Sequence, residues 1–120
     1  MNRLRHNYKN LKIWKKALDI ALFTSDIIKH FPKNELYNLT SQISRCSISI
    51  PSNIAEGSAG TNKSFKHFLD IAMGSSYELS TQVLIAHHKE LINNITLEKF
   101  ESKITEWQMM ASGFKKSLKN

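Results

Sequence analysis

The stretch Ser49-Ile50-Pro51-Ser52-Asn53-Ile54-Ala55-Glu56-Gly57 sets a proline and a polar cluster inside a sequence that otherwise repeats on a helical period. A proline in a helix interior removes one backbone hydrogen bond and crowds the carbonyl four residues earlier, at a cost of about 3 kcal/mol. Upstream of it, Leu36, Leu39, Ile43, Cys46 and Ile50 alternate at spacings of three and four, and Ile54 and Ala55 carry the pattern past it. This predicts a helix that starts near Asn34 and runs through Pro51 with a kink, leaving the Ser47 carbonyl without its usual partner. Ser41, Ser44, Ser47, Ser49 and Ser52 are small hydroxyl residues that permit close helix approach and bond back to backbone carbonyls. Gly57 and Gly60 read as punctuation, and Ser58 to Asn62 as a turn with Thr61 or Asn62 capping the next helix.

Outward from this stretch the helical period recurs three times. A first segment, from about Leu11 to His30, carries one apolar stripe through Trp14, Leu18, Ala21 and Ile28 and a second through Ile13, Ala17, Ile20 and Ile27. So wide an arc implies burial against more than one partner and points to self-association. Asn10 is the expected N-cap, and Phe31-Pro32 ends the segment because a residue before proline avoids helical geometry. A third segment, from about Lys63 to Leu91, has Phe65, Leu69, Ala72, Ser76, Leu79, Val83 and Ala86 in a heptad-like seam. A fourth, with Thr96 as its expected cap between Ile95 and Phe100, keeps Leu97, Phe100, Ile104, Trp107, Ala111, Phe114 and Leu118 in three-four alternation. Four matched segments of roughly 20 to 29 residues joined by short turns predict an all-α fold, an antiparallel up-down-up-down four-helix bundle.

At 120 residues the chain is read as one domain, 1–120, with residues 1–10 as a basic N-terminal arm. The single Cys46 closes no intramolecular disulfide, and the N-terminus carries no apolar secretory stretch. Nothing approaches the roughly 18 apolar residues of a membrane span, so a cytoplasmic protein away from the membrane is expected. The formal charge is +7, with a pI near 9.6. Arg3, Arg5, Lys9, Lys12, Lys15 and Lys16 all precede the first acid, Asp19, and Lys115, Lys116 and Lys119 crowd the C-terminus. Such ends attract polyanions; the plainer reading is a solubilising surface.

No residue set spells out a reaction. A di-metal bundle needs paired Glu-x-x-His spacings, and the chain has none. His87 and His88 are adjacent and point about 100° apart on a helix, while Asp26 with His30 and His67 with Asp70 read as surface pairs. Neither a metal nor a cofactor is assigned. Cys46 lies on the apolar seam of the second helix and reads as a packing thiol. With no phosphate loop or nucleophile elbow, an enzyme is the weakest class. Trp14 and Trp107 fall on core positions. Asn53 and Glu56, with Arg45 two turns earlier, read as a structural network around Pro51, a ligand contact being the alternative.

Taken together, Leu11-Lys-Ile-Trp14-Lys-Lys-Ala17, Phe31-Pro32, Leu39-Thr-Ser-Gln42-Ile43-Ser-Arg45, Ser49 to Gly57, and Phe68-Leu-Asp-Ile-Ala72-Met-Gly-Ser75-Ser-Tyr-Glu78-Leu79 carry a resemblance. In them, from about Leu11 to Ala86, the chain resembles the bacterial four-helix-bundle family of 23S rRNA intervening-sequence proteins. The resemblance implies a ring-like homopentamer and kinship with the accessory variability protein of diversity-generating retroelements, which binds nucleic acid and a reverse transcriptase through a basic surface. Members commonly carry an Arg after the Glu-Gly pair, where this chain has Ser58-Ala59-Gly60-Thr61, and a Gly after the third helix, where it has Lys89-Glu90. The expectation is a non-enzymatic homopentameric module contacting RNA, or an RNA-bound protein, through Arg3, Arg5, Lys9, Lys12, Lys15, Lys16 and Arg45, with Pro51, Asn53, Glu56 and Gly57 as a structural motif. The competing expectation is a scaffolding oligomer without nucleic-acid binding, and a third is a small-molecule sensor built on Asn53 and Glu56.

Overall fold

Apolar side chains that recur every third and fourth residue can all leave water only if each helix turns that stripe toward the others. The computed structural model, which describes residues 6–119, resolves this as four helices: α1 (Lys12–Ile28), α2 (Ser41–Ser58), α3 (Asn62–His88) and α4 (Asn94–Ser117). No strand occurs among the described residues, which form a bundle 51 × 24 × 20 Å in extent. Paired positions on neighbouring helices run in opposite chain order. Across α1 and α4, Lys16 meets Glu106, Asp19 meets Lys103 and Phe23 meets Phe100. Across α2 and α3, Cys46 meets Gln82, Ser49 meets Ser75 and Gly57 lies against Phe65.

The third seam is buried in full, from Phe65 to Ala86, and in the fourth Phe100, Ile104, Trp107, Ala111 and Leu118 are buried while Leu97 and Phe114 are half-buried. The Trp107 indole N–H, deep in the core, donates to the Ile13 carbonyl at 2.9 Å, so the largest buried side chain leaves no polar atom unpaired. Trp14 is only partly buried and meets Tyr8 edge-on at 5.2 Å. On α1 the wide arc closes over Ile13, Ala17, Ile20, Ala21 and Thr24, and leaves Leu22 exposed.

Helix ends differ from the expected caps in three places. Leu11, not Asn10, holds the N-cap position of α1 and makes no side-chain bond; Asn7 instead caps a 3-10 turn, Tyr8–Asn10, that ends on Asn10. Asn93, not Thr96, caps α4: its side-chain oxygen accepts from the Thr96 backbone N–H at 2.8 Å, so the helix begins a turn earlier. Gly57 does not punctuate α2, which runs on to Ser58; a Cβ there would stand 2.7 Å from Phe68 Cβ and 2.9 Å from Phe65 Cδ1, so the glycine lets α2 and α3 close together.

The helix is continuous through Pro51, and the departure from helical geometry in this part of the chain lies upstream. A 3-10 turn, Lys33–Glu35, passes into a π-helical turn, Leu36–Thr40, in which Asn38 has φ −126° and ψ −105°. Buried Glu35 anchors this entry through an ion pair to Lys89 beyond the end of α3. There Glu90 adopts φ 63°, and Leu91 N–H donates to the Ala86 carbonyl at 2.9 Å. Such a left-handed helix stop is most often a glycine.

Candidate functional site

The fold gathers the lysines. Because the starts of α1 and α3 lie at the same end of the bundle as the finish of α4, Lys9, Lys12, Lys15 and Lys16 are joined there by Lys63 and Lys66 and by Lys115, Lys116 and Lys119. Two ties hold the segments together: Asn62 donates to the Lys119 carbonyl at 2.6 Å, and the His6 ring packs edge-on against Phe65 and Phe114. Among the described residues, nine lysines in this half stand against four carboxylates, Asp19, Glu56, Asp70 and Glu106, of which Asp19 pairs at mid-bundle with Lys103 at 2.7 Å; the rest of the bundle holds six cations and six acids. The charge excess of the described residues therefore sits at one end of the rod.

Ion pairs neutralise part of this cluster. Lys16 pairs with Glu106 at 2.8 Å, a bond that raises its pKa, and Lys115 pairs with Asp70 at 2.6 Å. Lys12, Lys15, Lys63 and Lys116 are exposed and have no carboxylate partner among the described residues, and the Lys9 ammonium lies 6.0 Å from the centre of the Tyr8 ring. Lys12 and Lys15 occupy the first turn of α1, and Lys63 that of α3, and neither turn contains an acid to offset them. A cation at a helix N-terminus opposes the macrodipole, at a cost of about 0.3 to 1 kcal/mol each. Arg3 and Arg5 lie outside the described residues.

Arg45 stands apart from this cluster. It lies in the first half of α2, toward the opposite end, and its guanidinium donates to Ser41 Oγ at 3.3 Å. The polar cluster around Pro51 also divides. The Asn53 amide donates to the Ser49 carbonyl at 2.8 Å and to Ser49 Oγ at 2.9 Å, and Ser49 Oγ lies 2.9 Å from Ser75 Oγ on α3. Its bond thus goes to the Ser49 carbonyl and not to that of Ser47, the group Pro51 leaves without a donor. The Glu56 side chain is exposed and makes no hydrogen bond or ion pair among the described residues. The Cys46 thiol is half-buried against Gln82 and Glu78, and burial, the largest influence on it, pushes its pKa up. A thiol held protonated is a poor nucleophile. Among the described residues no three His, Cys, Asp or Glu side chains cluster as a metal site would require, and no helix is long and apolar enough to cross a membrane.

Residues 9–113 match the sequence profile described as 23S rRNA-intervening sequence protein. The chain belongs to this family. The match takes in Lys9 through Lys66 and the whole Ser49 to Gly57 stretch, and it leaves Lys115, Lys116 and Lys119 outside. The family fold recurs in a crystal structure from Bacteroides thetaiotaomicron VPI-5482, a protein of unknown function from the S23 ribosomal protein family. It superposes with a TM-score of 0.79 at 24% identity, covering 88% of this chain and 99% of that one. No curated protein matches the chain.

Lys63 and Lys66 are the residues that sequence reasoning missed. Their separation from both termini hid them, and only the return of α3 to the start of α1 brings them into the cluster.

Proposed function

We propose that this protein is a non-enzymatic, cytoplasmic, self-assembling module, a homopentamer, that holds RNA or an RNA-bound protein against the lysine-rich end of its bundle. One observation carries the reading: Lys12, Lys15 and Lys63, without carboxylate partners among the described residues, stand in the first turns of α1 and α3, where they act against helix stability and no acid compensates. A placement that costs stability on two helices at once and converges on one surface has its rationale in an anionic partner. Exposed Leu22, Ile48, Tyr77 and Met109, spread over all four helices, support burial of further surface between copies.

Salt dependence tests the RNA half of this reading. Replacing Lys12, Lys15, Lys63 and Lys116 together with Gln removes four cations and leaves the Lys16 and Lys115 ion pairs in place. The slope of log K against log salt for single-stranded RNA is expected to fall by about 3 units, since each phosphate neutralised contributes about 0.7. An unchanged slope removes this end as the site, and absence of RNA binding by the parent even at about 50 mM salt favours the scaffolding oligomer.

A further inference from the structure

At the other end of the bundle, where the π-helical turn enters α2, a groove of about 460 Å³ is lined by Ile28 of α1 and by Leu36, Tyr37, Thr40, Ser41, Ser44 and Arg45. We propose that this groove binds a nucleoside phosphate, its base on Tyr37 and its phosphate on Arg45, either as a free nucleotide or as one unit of a single-stranded RNA.

Three features converge on that ligand. Tyr37 is 94% exposed at the rim, with Leu36 beside it at 49%. An aromatic left bare offers a face that any base can stack on. Arg45 is the one charged residue among those lining the groove, and no carboxylate pairs with it among the described residues; its bond to Ser41 Oγ leaves most of its donors available to grip an anion. Ser41 and Ser44, both half-buried, line the groove beside Arg45 and bring hydroxyl groups that can bond a phosphate or ribose oxygen. The turn itself shapes the groove, since the backbone leaves helical geometry at Asn38, between Leu36 and Tyr37 on one side and Thr40 to Arg45 on the other. An extended peptide fits less well, because helical walls offer it no backbone edge to pair with.

The site stands apart from the lysine end, so the two readings fail separately. Calorimetric titration of the full chain with AMP and with a short oligoadenylate, at about 150 mM salt, is the test. Saturable binding of AMP shows that a free nucleotide suffices, and saturation by oligoadenylate alone identifies the ligand as an RNA unit. In either case Tyr37→Ala and Arg45→Ala, both at exposed positions, are expected to weaken binding about tenfold or more, and Tyr37→Phe to preserve it. The Lys12, Lys15, Lys63 and Lys116 variant is expected to bind AMP like the parent. Failure of the parent to bind either probe, equal binding by the Tyr37→Ala and Arg45→Ala variants, or occupation by an amphipathic peptide in place of AMP overturns the proposal.

Discussion

Gly57 and Asn53 share one nine-residue stretch and do unlike work. Gly57 is a spacing residue: a methyl group there would have to displace Phe68 at its own Cβ, which no side-chain rotation relieves. Gly57→Ala is expected to destabilise the fold by about 1 to 3 kcal/mol, read as a lowered urea midpoint with unchanged slope. Gly60→Ala, where the nearest contact is the Ser64 hydroxyl at 3.2 Å, is the matched control and is expected to cost less. The sequence marks Gly57 as important and misassigns the reason, because an end-of-helix glycine and a close-approach glycine look alike until the neighbouring helix is placed. Glu56, one residue earlier, has the opposite lesson: an acid inside a distinctive motif can still face solvent.

At the scale of elements, α2 and α3 make the most intimate contact in the bundle, and the Asn53–Ser49–Ser75 chain of hydrogen bonds crosses it halfway along. Asn53→Ala removes the amide that bridges the Ser49 carbonyl and hydroxyl, while Ser75 still partners that hydroxyl, and is expected to cost about 0.5 to 1.5 kcal/mol in equilibrium denaturation. An unchanged midpoint would release Asn53 from this role. Helix existence and seam were legible in the sequence because burial follows a period of three and four, and the seven positions from Phe65 to Ala86 obey it without exception. Helix starts were less so. Asn93 and Thr96 are both competent caps, and a side chain's capacity to cap does not say which residue the chain will present at the turn. The lysine cluster was legible only at its two ends in sequence.

For the whole molecule, the prediction is mass. Light scattering is expected to give about five times 13.8 kDa, independent of dilution through the micromolar range. A monomer at all concentrations overturns the assembly and leaves the charge distribution of the single bundle untouched. Charge steers encounter with a polyanion over a distance of about 8 Å at physiological salt, so the exposed ammonium groups act beyond their own hydrogen-bond reach.

The lengthwise separation of charge also restricts symmetry. A rod with its excess positive charge at one pole is a vector, and a ring with purely rotational symmetry contains no operation that reverses the component of that vector along its axis. Five such components add, while those perpendicular to the axis cancel. Stacking two rings face to face would introduce two-fold axes and erase the sum. A single-layer ring of this protein would therefore have two chemically distinct sides wherever the rods lean along the axis, and would settle on a flat polyanionic surface with one side down.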